Sequence, residues 1–189
     1  MIKIGITGSI SSGKTTASKI IAKKSGGVIF SADKIVKGLY NKKKFKKLLI
    51  KKLLLESKGN IKLQVKNKIL KEKTFIKKLE KIVHPFVRSQ MVLFKKKYSK
   101  KKLVVFEIPL LIESKLTKKF DKIIFIKSPK NLRLKRYIKN GGDKKLFSYL
   151  NKHQLSDFIK MKHCDHIVVN NKSLSFLKAE LLNIINVYE

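Results

Sequence analysis

The sequence predicts an α/β protein built on a mostly parallel sheet with helices on both faces, a three-layer arrangement, and three observations carry that expectation. A glycine-rich, anion-binding loop joins a short apolar strand to a helix at the start of the chain. Short runs rich in Val, Ile and Phe then alternate with helical patterns. A long, lysine-rich helical stretch separates the second and third of these runs, and it is too long for an ordinary crossover.

The first strand is read from Ile2, Ile4, Gly5 and Ile6. Gly8-Ser9-Ile10-Ser11-Ser12-Gly13-Lys14-Thr15 follows and fits G-x-x-x-x-G-K-[ST], with Thr16-Ala17-Ser18-Lys19-Ile20-Ile21-Ala22 opening a helix. A fortuitous match in a serine-rich turn is the competing explanation, and the strand before and helix after the loop weigh against it. Backbone N–H groups of such a loop converge on a phosphate, where the helix dipole adds roughly half a positive charge. Lys14 would reach the β- and γ-phosphates and the Thr15 hydroxyl would ligate Mg²⁺, so the loop predicts binding of a nucleoside triphosphate.

Gly26-Gly27 stops the first helix and Val28–Ser31 makes the second strand. Asp33 then falls just past its carboxyl end, the side where ligands sit in open α/β sheets. From about residue 35 to 100 the pattern is helical. Phe45, Leu48 and Leu49 begin one apolar run, and Leu70, Phe75, Ile76, Leu79, Ile82 and Val83 form another, with Lys58-Gly59-Asn60 the one clear turn. A small helical insert between the second and third strands is expected here.

Leu103–Phe106 is the third strand and ends in Glu107, the pattern of an acidic residue acting near Mg²⁺. Lys122–Lys127 is the fourth strand. Ser128-Pro129 leads into a helix whose Arg133 and Arg136, three residues apart, share one face. Residues 129–160, with the Lys139–Asp143 loop and Gln154, are read as a lid that excludes water and delivers cations to a transferring phosphoryl group. His166–Val169 makes a fifth strand, Asn170-Asn171 a turn, and Leu174–Tyr188 a final amphipathic helix.

With 189 residues, 43% hydrophobic, the chain can bury one sizeable core. No apolar run approaches the roughly 20 residues of a membrane span, and Lys3 interrupts any signal-peptide pattern, so no membrane association is expected. The single cysteine, Cys164, excludes an internal disulfide and fits a reducing cytoplasm; it is read as a small packing residue rather than a nucleophile.

The net charge of +35 would ordinarily direct attention to nucleic acid. Yet the only arginines among the 47 basic residues are Arg88, Arg133 and Arg136, and lysine is spread along every segment. Together with abundant Ile and Asn and no Trp, this composition matches A/T-rich codons. A specific nucleic-acid surface would hold arginines for bidentate contacts and interleaved aromatics. No specific nucleic-acid partner is therefore expected, only nonspecific binding at low salt. The scarcity of arginine also marks the three that remain as candidates for phosphate or substrate contacts.

In order along the chain, the elements resemble the dephospho-coenzyme A kinase family over nearly the whole length. Ile6–Thr16 looks like its opening and Ser31-Ala32-Asp33-Lys34-Ile35 like its D-A-D-x-I element. His84-Pro85-Phe86-Val87-Arg88 resembles H-P-x-v-r, and Pro109-Leu110-Leu111-Ile112-Glu113 resembles P-L-L-f-E. Arg133-Leu134-Lys135-Arg136 resembles the lid R-x-x-R, while Gln154 and Cys164–Asn170 resemble the final Q and A-D-x-v-i-x-N elements.

The resemblance implies a P-loop NTPase fold with a helical substrate-binding insert and a helical lid. It implies transfer of phosphate from ATP, with Mg²⁺, to the ribose 3′-hydroxyl of dephospho-coenzyme A. Asp33 matches the acid that accepts the hydroxyl proton; Lys14, Arg133 and Arg136 would be the catalytic cations. Gly8 to Thr16 would hold the nucleotide, with Asn170 beside its adenine. Asp33, His84, Arg88, Glu107, Pro109, Leu110 and Glu113 would lie on the substrate side. Ser31, Lys62-Leu63 and Cys164 stand where the family usually has an aspartate, an arginine and an alanine. Another small P-loop kinase, acting on a nucleoside, nucleotide or metabolite, and a nucleic-acid-stimulated NTPase are the alternatives.

Overall fold

Five strands and nine α-helices, with one short 3₁₀ turn at Thr117–Lys119, make up residues 1–188, which the computed structural model describes. The strands are β1 (Ile2–Thr7), β2 (Val28–Ser31), β3 (Leu103–Glu107), β4 (Lys122–Lys127) and β5 (His166–Val169). All pair in parallel, in the order β2-β3-β1-β4-β5; the sequence predicts the mostly parallel sheet but not this order. The near-continuous apolar runs of β3 and β4 suit a sheet covered on both faces.

The chain divides into two compact units: Met1–Ser31 with the chain from Tyr98 onward, and Ala32–Lys97. In the first, α1 (Lys14–Lys24) and α9 (Leu174–Asn186) cover one face of the sheet. Ile4, Ile6, Ile124, Ile126 and Val168 meet Ala17, Ile21, Leu177, Leu181 and Ile185 there in one buried cluster. Phe106 packs against Phe30 and Phe120 at 5.7 and 5.4 Å between ring centroids. Gly5 makes room for this packing, since a methyl at its position would come within 2.8 Å of Leu111 Cδ1. After β4 come α6 (Lys130–Lys139), α7 (Lys144–His153) and α8 (Asp157–Met161). Asp143 and Ser156 cap the N-termini of α7 and α8 through their side chains.

The second unit holds α2 (Ala32–Leu39), α3 (Lys43–Leu53), α4 (Ile61–Lys71) and α5 (Phe75–Lys97), with the first three packed on α5. Phe45 lies edge-on between Tyr40 and Phe86. The sequence shows one turn in this stretch, at Lys58–Asn60, where Asn60 indeed caps α4 by accepting from the N–H groups of Lys62 and Leu63. Two further breaks, at residues 40–42 and 72–74, contain no Gly or Pro themselves, so the periodicity runs across them; Leu70 lies in the last turn of α4 while Phe75 opens α5. Pro85 lies inside α5, where it has no N–H to give the preceding turn.

Leu54 ends α3 in the left-handed region (φ 51°, ψ 54°) and is 82% exposed, so its side chain gains little from burial while its backbone is strained. Leu54→Gly is expected to raise stability by about 0.5–1 kcal/mol, a Tm gain of roughly 1–4 °C for a chain of this size. Thermal unfolding followed by circular dichroism checks it; an unchanged or lower Tm would show that Leu54 has a packing role.

Candidate active site

Strand order alone locates a crevice. From β1 the chain crosses to one side of the sheet, and from β3, its neighbour, it crosses back to the other, so ligands belong beyond the carboxyl ends of β1 and β3. The Gly8–Thr15 loop follows β1, and Glu107 ends β3, opposite Ile6 of β1 and Ser31 of β2 in the ladder.

The loop's conformation explains its two glycines. Gly8 (φ 147°) passes so close to β4 that a Cβ would lie 2.5 Å from the Ile126 carbonyl oxygen. Gly13 (φ 101°) leaves no space for a side chain, because a Cβ would overlap the side-chain amide of Asn170. Lys14, at the first position of α1, is buried and folds back over the loop; its Nζ donates to the carbonyls of Gly8 and Ser9, both at 2.9 Å. Thr15 Oγ1 donates to Glu107 Oε1 at 2.5 Å, joining the predicted metal-ligating hydroxyl to the predicted acidic strand end.

The C-terminal half of this unit closes around the loop. Asn170, just after β5, donates from Nδ2 to the Ser12 carbonyl at 2.8 Å. Arg136 donates to Ser128 Oγ and to the Asn170 carbonyl. Arg133 is buried, with Nε on the Ser128 carbonyl and Nη1 on Asn151 Oδ1 (2.8 Å) and the Ile10 carbonyl (3.4 Å). Burial lowers the pKa of Arg133, and the nearby Asp157 carboxylate opposes that shift. Both arginines of α6 thus lie against groups of the loop and its flank, as a bidentate donor fork allows.

Four further side chains complete this surround. Gln154 Oε1 accepts from the Ile10 N–H at 3.1 Å, and Asp157 accepts from the Ser9 hydroxyl. Lys160 is fully buried with its Nζ 2.8 Å from Glu113 Oε1, which also accepts from the Leu155 N–H at 3.1 Å. Asn151 receives Arg133. Of these the sequence marks only Gln154, through the family resemblance. Of the remaining predicted positions in this unit, Pro109 accepts from the Thr7 hydroxyl and Leu110 accepts from the Ser114 N–H, both in the turn after β3.

Asp33, His84 and Arg88 belong to the second unit. Asp33 is exposed in the first turn of α2, two residues after β2 ends. His84 and Arg88 are one turn apart on α5, with Glu80 one turn before. Burial lowers the His84 pKa; Glu80 pulls it up and Arg88 pushes it down by smaller amounts. The unfolded chain therefore takes up this proton near pH 6.5, and the folded protein only at lower pH. Stability is expected to fall as pH drops below about 6.5. His84→Gln should flatten that fall in Tm measurements between about pH 7.5 and 5; an unaltered slope would assign it to other groups.

Cys164 is half-buried, its Sγ donating to the Lys160 carbonyl, and burial pushes its thiol up to about 12. It stays protonated at neutral pH, in keeping with a packing role. Among the described residues no cluster of three or more His, Cys, Asp and Glu side chains could cage a metal, and no helix is long and apolar enough to cross a membrane.

A phosphate loop on a five-stranded parallel sheet, with its lysine curled over the loop and its threonine joined to an acidic strand end, defines a P-loop kinase fold. The family model described as dephospho-CoA kinase matches residues 2–175. The chain is 35% identical to a dephospho-CoA kinase of Fusobacterium nucleatum over 184 residues, 94% of each chain. It is 32% identical to one of Bartonella quintana, covering 96% of this chain and 95% of that one. A solved dephospho-CoA kinase structure from Campylobacter jejuni superposes with a TM-score of 0.62 at 25% identity, covering 99% and 97% of the two chains. The chain belongs to the dephospho-CoA kinase family.

Proposed function

We infer that this chain uses ATP to phosphorylate the ribose 3′-hydroxyl of dephospho-coenzyme A, giving coenzyme A and ADP. The observation that carries this reading is the extent of the similarity. The match over residues 2–175 includes the whole second unit with His84 and Arg88, so it is not confined to the loop that many kinases share.

Transfer of this kind needs positioning and charge stabilisation, and no covalent nucleophile. Asp33 accepts the proton of the attacking hydroxyl; its exposure leaves the carboxylate free to meet a substrate. His84 and Arg88 hold the acceptor, as do Glu107 at the end of β3 and Pro109, Leu110 and Glu113 beyond it. Lys14 and the loop from Gly8 to Thr16 hold the phosphates, with Asn170 at the adenine side. Arg133 and Arg136 neutralise charge at the moving phosphoryl group, carried by a lid formed by α6 to α8.

The Thr15 hydroxyl and the Glu107 carboxylate, already in contact, fit Mg²⁺: both are hard oxygen donors, and this ion usually takes one or two protein oxygens plus substrate phosphates. When bound, it neutralises phosphate charge. The single cysteine, Cys164, suits a reducing cytoplasm. The surface lysines serve no specific nucleic-acid partner.

ADP release, followed with a coupled assay in the presence of Mg²⁺, tests the acceptor. Dephospho-coenzyme A should be the substrate in a panel of nucleosides, nucleotides, small metabolites and RNA. Turnover on another small acceptor would keep the kinase and replace the substrate. Hydrolysis stimulated by RNA and suppressed by salt would replace the kinase with a nucleic-acid-dependent NTPase.

A further inference from the structure

The start of the phosphate loop is held from outside. Ile10 is engaged at both of its backbone groups: its N–H donates to Gln154 Oε1 and its carbonyl accepts from Arg133 Nη1. Ser9 is engaged twice as well, its hydroxyl by Asp157 and its carbonyl by Lys14. Gln154 ends α7 and Asp157 begins α8, so one short segment supplies both side-chain acceptors. That segment has its own anchor. Lys160 of α8 is fully buried against Glu113, and the same carboxylate oxygen accepts from the Leu155 N–H, between the two acceptors.

The arrangement has an electrostatic side. A carboxylate beside an anion-binding loop would by itself repel phosphate. Asp157 is positioned so that the Arg133 guanidinium feels its charge, and that guanidinium also reaches the loop through Ile10. The carboxylate can therefore bind the Ser9 hydroxyl while a buried cation offsets its charge.

We propose that Gln154 and Asp157 are positioning residues that set the first turn of the phosphate loop for ATP, with the ion pair between buried Lys160 and Glu113 fixing the segment that carries them. The inference rests on the reading of this loop as the ATP site. It assigns these residues to the loop's preorganisation, since a loop not held in its bound conformation must be ordered at the expense of nucleotide affinity.

Amide hydrogen exchange and ATP binding, measured without any acceptor, test it on the full chain. In Gln154→Ala the Ile10 amide should exchange at least about tenfold faster than in the parent while the β1 amides keep their protection. Affinity for ATP should fall about tenfold in Gln154→Ala and in Asp157→Ala, equivalent to one well-made polar contact. Asp157→Asn keeps an acceptor in place and should retain most of the affinity lost in Asp157→Ala.

The KM for the acceptor should stay within about twofold of the parent value, a split that general destabilisation would not produce. Unchanged Ile10 exchange in Gln154→Ala, or ATP and acceptor constants worsening together in step with Tm, would overturn the proposal. Should Asp157→Ala fail to fold, Gln154→Ala decides alone, through Ile10 exchange and ATP affinity together. ATP binding that follows these expectations in a protein inactive on dephospho-coenzyme A would sink the substrate assignment and leave this inference standing.

Discussion

Asp33→Asn is expected to lower kcat about 10²–10⁴-fold, the usual contribution of a positioned general base, while ATP affinity stays near that of the parent. The two effects separate because Asp33 stands in the first turn of α2, in the second unit, whereas every loop contact described above lies within the first. Asparagine keeps the size and polarity of the side chain and removes only the proton acceptor. Steady-state turnover with dephospho-coenzyme A, beside ATP binding measured directly, reads the two quantities. A kcat within tenfold of the parent would remove Asp33 from the chemistry.

Lys160→Met should cost about 3–5 kcal/mol of stability, because it leaves the Glu113 carboxylate without its buried counter-ion. For a chain of this size that is a fall in Tm of roughly 6–20 °C. Methionine approximates the lysine stem, so the loss reports the charge rather than a cavity. Adding Glu113→Gln removes the stranded charge and keeps an acceptor for the Leu155 N–H. The double variant should therefore recover a large part of the loss. Thermal and urea unfolding of both variants check this; a Tm for Lys160→Met within about 2 °C of the parent would show that the pair is solvated and weak.

The readability of this sequence depended on how far each residue's environment constrains its type. The phosphate loop is legible because its backbone passes where only glycine fits, at Gly8 against β4 and at Gly13 against Asn170. β3 and β4 are the most legible strands because they are buried along nearly their whole length, which leaves continuous apolar runs. Arginine's rarity is informative in the same way: Arg133 and Arg136 each engage several acceptors at once, which lysine's single ammonium does less well.

The helix breaks of the second unit are hidden because residues 72–74 turn the chain without Gly or Pro, and at Asn41 the glycine, Gly38, stands inside the last turn of α2 rather than in the break. Lys160 is hidden by its company, since most of the 47 basic residues are lysines on solvated positions. Asp157 reads as an ordinary helix-opening acid, since an aspartate in a first turn after an N-cap serine is already explained by the helix dipole. Its bond to Ser9 spans 148 positions, a distance that local patterns do not bridge.

The most direct measurement is the product itself. Incubated with ATP, Mg²⁺ and dephospho-coenzyme A, the protein should yield ADP and an acceptor heavier by one phosphoryl group, which phosphorus and proton NMR place on the ribose 3′ oxygen. ADP appearing without a phosphorylated acceptor, or phosphate on any other position or molecule of the panel, would contradict the function inferred here.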